Sequence, residues 1–125
     1  MNMLIQGEIL DFVPLFKAYV SKEGLLLGEE GNTLLTLDTG FSGGIALPQE
    51  MLNEMDAEFI GYDTFTLATG EVVELPMFLG KVVIKAQELE TWFIPGDLLV
   101  GMEFLSTAGK VLTLNFEEAI VELRR

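Results

Sequence analysis

Thr33-Leu34-Leu35-Thr36-Leu37-Asp38-Thr39-Gly40-Phe41-Ser42-Gly43-Gly44-Ile45-Ala46-Leu47-Pro48 is the stretch on which the reading of this chain turns. Its first five residues form a near-continuous apolar run, the pattern of a central strand in a sheet. The run stops at Asp38, and Gly40 allows a tight turn immediately after it. A carboxylate is thereby set at the end of a strand, beside a backbone that a small ligand can approach. That placement suits chemistry in which a carboxylate is the base and a water is the nucleophile. The same tripeptide also reads as a plain turn, because Asp and Gly are common turn residues. The remainder of the chain has to decide between the two.

The absences narrow the chemistry. The 125 residues include no cysteine and no histidine. Disulfides, thiolate metal sites, histidine-ligated zinc and Ser-His or Cys-His catalysis are therefore excluded, and no metal or cofactor is expected. Hydrolytic chemistry here has to rest on carboxylates, lysine or hydroxyls. Twenty acids against seven bases leave a net charge of −13. Nucleic acid and anionic membrane surfaces would both be repelled, since neither finds enough Lys or Arg to neutralise phosphate. The charge either serves solubility or favours cationic and neutral substrates. Half of the residues are hydrophobic, so a packed core is affordable at this length, as one domain over 1–125. No apolar run reaches the roughly 20 residues of a membrane helix, and the N-terminus lacks the basic start of a secretory signal. A cytoplasmic location is the expectation.

Strand signals dominate outward from the central stretch. Upstream, 3–10 and 12–20 read as strands, with Pro14 marking an edge or a strand start. Residues 24–32 are punctuated by Gly24, Gly28, Gly31 and Asn32 and read as hairpin and turns. Downstream, 48–55 is the first helix candidate, with Pro48 suited to the first helical position and Met51, Leu52 and Met55 on one face. Runs 58–67 and 72–78 flank a hairpin tip at Ala68-Thr69-Gly70-Glu71. Two more strands follow at 81–85 and 89–94, then a turn at Pro95-Gly96-Asp97. Residues 98–105 read as a short strand broken by Gly101 into one or two helical turns. Strands at 111–116 and 119–123 end the chain. About ten short strands and two small helices point to an all-β, closed and mostly antiparallel barrel.

Three segments together resemble the retropepsin-like aspartic proteases, most closely the small single-domain bacterial and archaeal members. They are the strand, Asp38-Thr39-Gly40 and Leu-Pro segment quoted above, Leu99-Val100-Gly101-Met102-Glu103-Phe104-Leu105, and Val111-Leu112-Thr113-Leu114-Asn115-Phe116. Order and spacing fit from about Ile5 to Leu123. The resemblance implies a closed acid-protease barrel and a homodimer with one Asp38 from each chain, acting on peptides or unfolded proteins. Two carboxylates a few ångströms apart cannot both ionise, so the pair shares a proton. One member activates water while the other polarises the scissile carbonyl. By the same resemblance Thr39 bonds across the dimer, Gly40 admits the substrate, Ser42 and Gly43 contact it, and Ala68, Thr69 and Gly70 form a flap. Phe41 departs from the pattern, standing where retroviral and pepsin-like members usually carry Ala or Ser. The presumed flap tip is less glycine-rich than viral flaps.

Other readings stand beside this one. A catalytically silent peptide-binding or interaction module on the same fold is the main alternative, because fold does not guarantee activity. A domain detached from a larger processing enzyme is a third. Glu29-Glu30 and Glu117-Glu118 are read as solvated charge rather than a cation site, since no EF-hand pattern surrounds them. The methionines are read as core filler. Trp92 and Phe93 read as core, or as one wall of a substrate groove.

Overall fold

A computed structural model describes residues 3–28 and 31–125. Glu29 and Glu30 lie outside the described residues. The described residues are mostly β, with eleven strands and two short helices among them, in the order β1(Met3–Leu10), β2(Val13–Ser21), β3(Gly24–Leu27), β4(Thr33–Leu37), β5(Ile45–Leu47), α1(Gln49–Glu54), β6(Glu58–Thr66), β7(Val72–Ile84), β8(Gln87–Pro95), β9(Leu99–Val100), α2(Met102–Ala108), β10(Val111–Asn115) and β11(Ile120–Arg124).

All eleven strands join one sheet, in the order β10-β11-β1-β2-β3-β7-β8-β5-β9-β4, with β6 added on β7 and β4 returning to pair with β2. The expectation of a closed, mostly antiparallel barrel is corrected in its closure, and although most pairs are antiparallel, three are not. The sheet is mixed: β3 with β7, β4 with β9 and β5 with β8 run parallel. It is a folded-over sheet with free edges at β10 and β6 rather than a closed barrel. The parallel pairs arise because short apolar strands from the first half of the chain are completed by strands more than forty residues later, which no local turn could bring together.

The core gathers the apolar sides of both halves. Phe16, Phe93, Phe104, Leu25, Leu35, Ile45, Leu47 and Val100 are fully buried, and α1 contributes Leu52, with Met55 just after it. Leu35 and Leu37 of β4 belong to this core, in keeping with a central strand paired on both edges, to β2 and to β9. Helix α1 runs as expected, except that Pro48 sits at its N-cap rather than at its first turn.

Three further expectations change. Residues 24–27, expected as part of a hairpin and turns, make the hairpin with β2 as a strand, β3, that is paired on its other edge as well. Its three leucines find Val82–Ile84 as parallel partners. The strands expected at 72–78 and 81–85 are one strand of 13 residues, β7. Gly80 does not break it, because a side chain there would meet the Phe93 ring at 3.0 Å and the bare backbone lets that ring pack. Residues 45–47 form a short strand, β5, against β8.

β7 is divided by its environment. Its inner end, from Gly80 to Ile84, pairs with β3 and β8, and Gly80, Val82 and Ile84 are buried. The outer half pairs with β6 from Val72 to Leu79. β6 is almost wholly exposed, so this half is an arm projecting from the core. A bulge between Phe59 and Gly61 interrupts its register near the base. There Phe59 meets Tyr62 and Phe78 edge to face, with ring centroids 5.4 and 5.8 Å apart, contacts that stiffen the root of the arm.

Candidate active site

β4 delivers Asp38 to the rim of the sheet. The Asp38 N–H donates to the Val100 carbonyl at 2.9 Å, continuing the β4–β9 pairing one residue past the strand. The chain then turns. Phe41 N–H returns to the Asp38 carbonyl at 3.1 Å, and Gly40 N–H donates to the Asp38 carboxylate, on Oδ1, at 2.9 Å. A carboxylate accepting a backbone N–H two residues on is held in one orientation by its own loop. Asp38 is half-buried, while Thr39 and Gly40 are exposed.

The next residues lock the loop onto α2. Gly101 N–H donates to the Gly44 carbonyl at 2.7 Å, Met102 N–H to Phe41 at 2.8 Å and Glu103 N–H to Gly43 at 3.1 Å. Two of these donors, Met102 and Glu103, are first-turn N–H groups of α2. They have no acceptor inside the helix, so the loop carbonyls satisfy them. Close approach requires glycine at Gly101: a Cβ there would run into the Gly43 carbonyl and lie 2.8 Å from the Phe41 ring. A Cβ at Gly43 would strike the same ring at 2.8 Å. Phe41 therefore occupies the space that Gly43 and Gly101 leave empty, which accounts physically for a large ring directly after Asp38-Thr39-Gly40.

A groove of about 620 Å³ opens beside this loop. Its floor is Gly40–Gly44, its far wall is Ile94–Asp97 with Leu99, and its roof is the projecting arm, through Asp63–Leu67, Leu75 and Met77. Of the residues singled out in the sequence, Gly40, Ser42 and Gly43 line the groove. Asp38 and Thr39 adjoin it through Gly40. Ala68, Thr69 and Gly70 do form the tip of a hairpin, closed by Leu67 N–H to the Glu71 carbonyl at 2.8 Å, with Gly70 at φ +89°. They are exposed and do not line the groove. The arm contacts the groove through its shaft instead.

The shaft is what the sequence left unassigned. Phe65, Leu67, Leu75 and Met77 sit on a hairpin whose apolar residues are not absorbed by the core. A run such as Phe59-Ile60-Gly61-Tyr62, apolar on both faces of an exposed strand, was the available signal. Phe93 is core, as one reading had it. Trp92 is half-buried and borders a smaller cleft under the arm with Tyr62 and Glu103. Met55 fills core, but Met77 lines the groove and Met102 is exposed. Glu117 and Glu118 lie exposed on the turn between β10 and β11. Among the described residues no group of three acids is placed to hold a metal ion, and no helix is long and apolar enough to cross a membrane.

Compared with protein-family models, curated proteins and solved structures, the chain matches none.

Proposed function

We propose that this chain is an aspartic endopeptidase of the retropepsin-like type that works as a homodimer. The observation that carries the reading is the placement of the Asp38 loop. It is braced by Val100–Glu103 and opens onto a groove roofed by a projecting hairpin. A single carboxylate of this kind cannot both activate water and protonate a carbonyl oxygen. A second Asp38, brought by a two-fold axis, supplies the missing partner.

In the dimer the two Asp38 carboxyls share one proton. The ionised member takes a proton from the attacking water, and the protonated member donates to the carbonyl oxygen of the scissile bond. Gly40, without a side chain, leaves room for the water and the substrate backbone. Thr39, exposed at the rim, is free to bond across the axis. Ser42, Gly43 and the arm hold an extended peptide, and arm closure excludes water.

The test is hydrolysis of an unfolded protein or a peptide library by the wild type and by Asp38→Asn. Asn keeps the shape and the Gly40 bond but can neither ionise nor pass on a proton, and both copies change at once. A loss of several orders of magnitude in kcat/KM, with unchanged circular dichroism, is the expected result. A wild type inert from about pH 3 to 7, against the acid-to-neutral working range of carboxylate pairs, would refute the protease reading. Peptide binding without cleavage would leave a peptide-binding module.

A further inference from the structure

Every charged side chain that lines the groove is acidic. Asp63 on the arm, Asp97 on the far wall and Glu103 on α2 line it, and none of the seven bases of the chain does. The three carboxylates are exposed and come from three separate segments, the arm, the turn after β8 and the start of α2. None of them takes part in the ion pairs formed by Lys17, Lys81 and Arg124, which engage Glu8, Glu88 and Glu122 elsewhere. Asp63 accepts the adjacent Thr64 N–H at 2.8 Å, and among the described residues it forms no ion pair. Between the carboxylates the lining is apolar, with Phe65, Leu67 and Met77 prominent.

We infer that the groove selects peptide segments carrying lysine or arginine around an apolar centre, with Asp63, Asp97 and Glu103 as the residues that set this preference. The inference rests on the peptide-cleaving reading above, of which it names the substrate class. Low-dielectric walls with charge of one sign focus the field into a cleft and concentrate ligands of the opposite sign. The apolar walls take the side chains beside the cleaved bond. The carboxylates take the cations at either side of them, where long lysine and arginine stems can lie along apolar surface and still reach an acid. Two-fold symmetry adds a constraint. The same three carboxylates face the substrate from both protomers, so the preference is bilateral: basic residues are favoured on both the amino and the carboxyl side of the bond.

The net charge of −13 would draw in any cation, and the experiment has to separate groove from surface. Asp38→Asn protein, unable to cleave, is titrated with two fluorescein-labelled decapeptides sharing one apolar centre. One is flanked on both sides by lysine and the other by glutamate. Binding is read by fluorescence anisotropy at low salt. The lysine peptide is expected to bind at least tenfold more tightly. Changing Asp63→Asn, Asp97→Asn and Glu103→Gln together should remove most of that margin, about two- to fivefold per carboxylate, the strength of an exposed ion pair. An equal charge change away from the groove, Glu90→Gln with Glu117→Gln and Glu118→Gln, should leave most of it. Equal affinity for the two peptides, equal loss in both triple variants, or no binding of either peptide overturns the inference. Should the groove triple fail to fold, the three single variants, each at an exposed side chain, read the same ordering. Hydrolysis by the wild type is scored separately. A charge-selective groove in an inert protein leaves this inference standing and refutes only the protease.

Discussion

Gly101→Ala attacks the junction through which the Asp38 loop is tied to α2. The added methyl group has no room. It would meet the Gly43 carbonyl and the Phe41 ring, the ring at 2.8 Å. Backbone on one side and a packed aromatic on the other leave no flexible end to move aside, so the loop itself must shift. Overpacking of this kind costs about 1–3 kcal/mol. The shift also loosens the bonds from Gly101 and Glu103 to Gly44 and Gly43, each worth about 1 kcal/mol net. A destabilisation of about 2–5 kcal/mol follows, a large part of the roughly 5–15 kcal/mol a domain possesses. At this chain length it corresponds to a Tm lower by roughly 10–20 °C. Gly96→Ala is the matched control. Its nearest neighbour would be the Ala46 methyl at 3.5 Å, an ordinary contact, so that variant should stay within about 0.5 kcal/mol of the wild type. Urea denaturation followed by circular dichroism gives both values. A Gly101→Ala protein within 1 kcal/mol of the wild type would show that the loop is not held by α2, and the account of the site would fall with it.

Phe93→Ala removes a fully buried ring from the point where β8 meets β5 and β7; urea melts should show a loss of about 3–5 kcal/mol, and a loss below 1.5 would mean the ring is not core. The rate of peptide hydrolysis should trace a bell against pH, with its maximum at roughly pH 4–6, because a carboxyl pair sharing one proton works only between its two apparent pKa values. A profile still rising at pH 9 would exclude such a pair. Sedimentation at micromolar concentration should show a dimer of the 13.8 kDa chain, strengthened by salt, which screens charges beyond about 8–10 Å. A monomer at every salt concentration, with and without a peptide-like inhibitor, would remove the paired-carboxylate mechanism.

Much of the site was legible in sequence because its signals are local. The apolar run 33–37, the stop at Asp38 and the glycine at 40 lie within eight residues, and each acts through backbone geometry. The strand-to-helix change at Gly101 is equally local, and it stands in the structure as β9 followed by α2. Even so, the sequence showed Phe41 only as a departure. Its reason is that Gly43 and Gly101, 58 residues apart in the chain, both vacate the space its ring fills.

What the sequence alone determined was the mostly β composition of the fold and the extended and helical character of nearly every segment, since alternation, apolar runs and turn residues express themselves over a few residues. It also set which chemistries are impossible, through the absence of cysteine and histidine. Tertiary structure decided pairing and therefore shape. β3 is paired on both edges, by a local hairpin to β2 and by Val82–Ile84 from far along the chain, Gly80 sits inside a strand with the Phe93 ring in the space a side chain would need, and three parallel pairings made the sheet mixed. It decided, too, that the hairpin shaft rather than its tip walls the groove, and that Asp63, Asp97 and Glu103 converge there. Convergence of this sort depends on contacts dozens of residues apart, and a single chain carries no local mark of them.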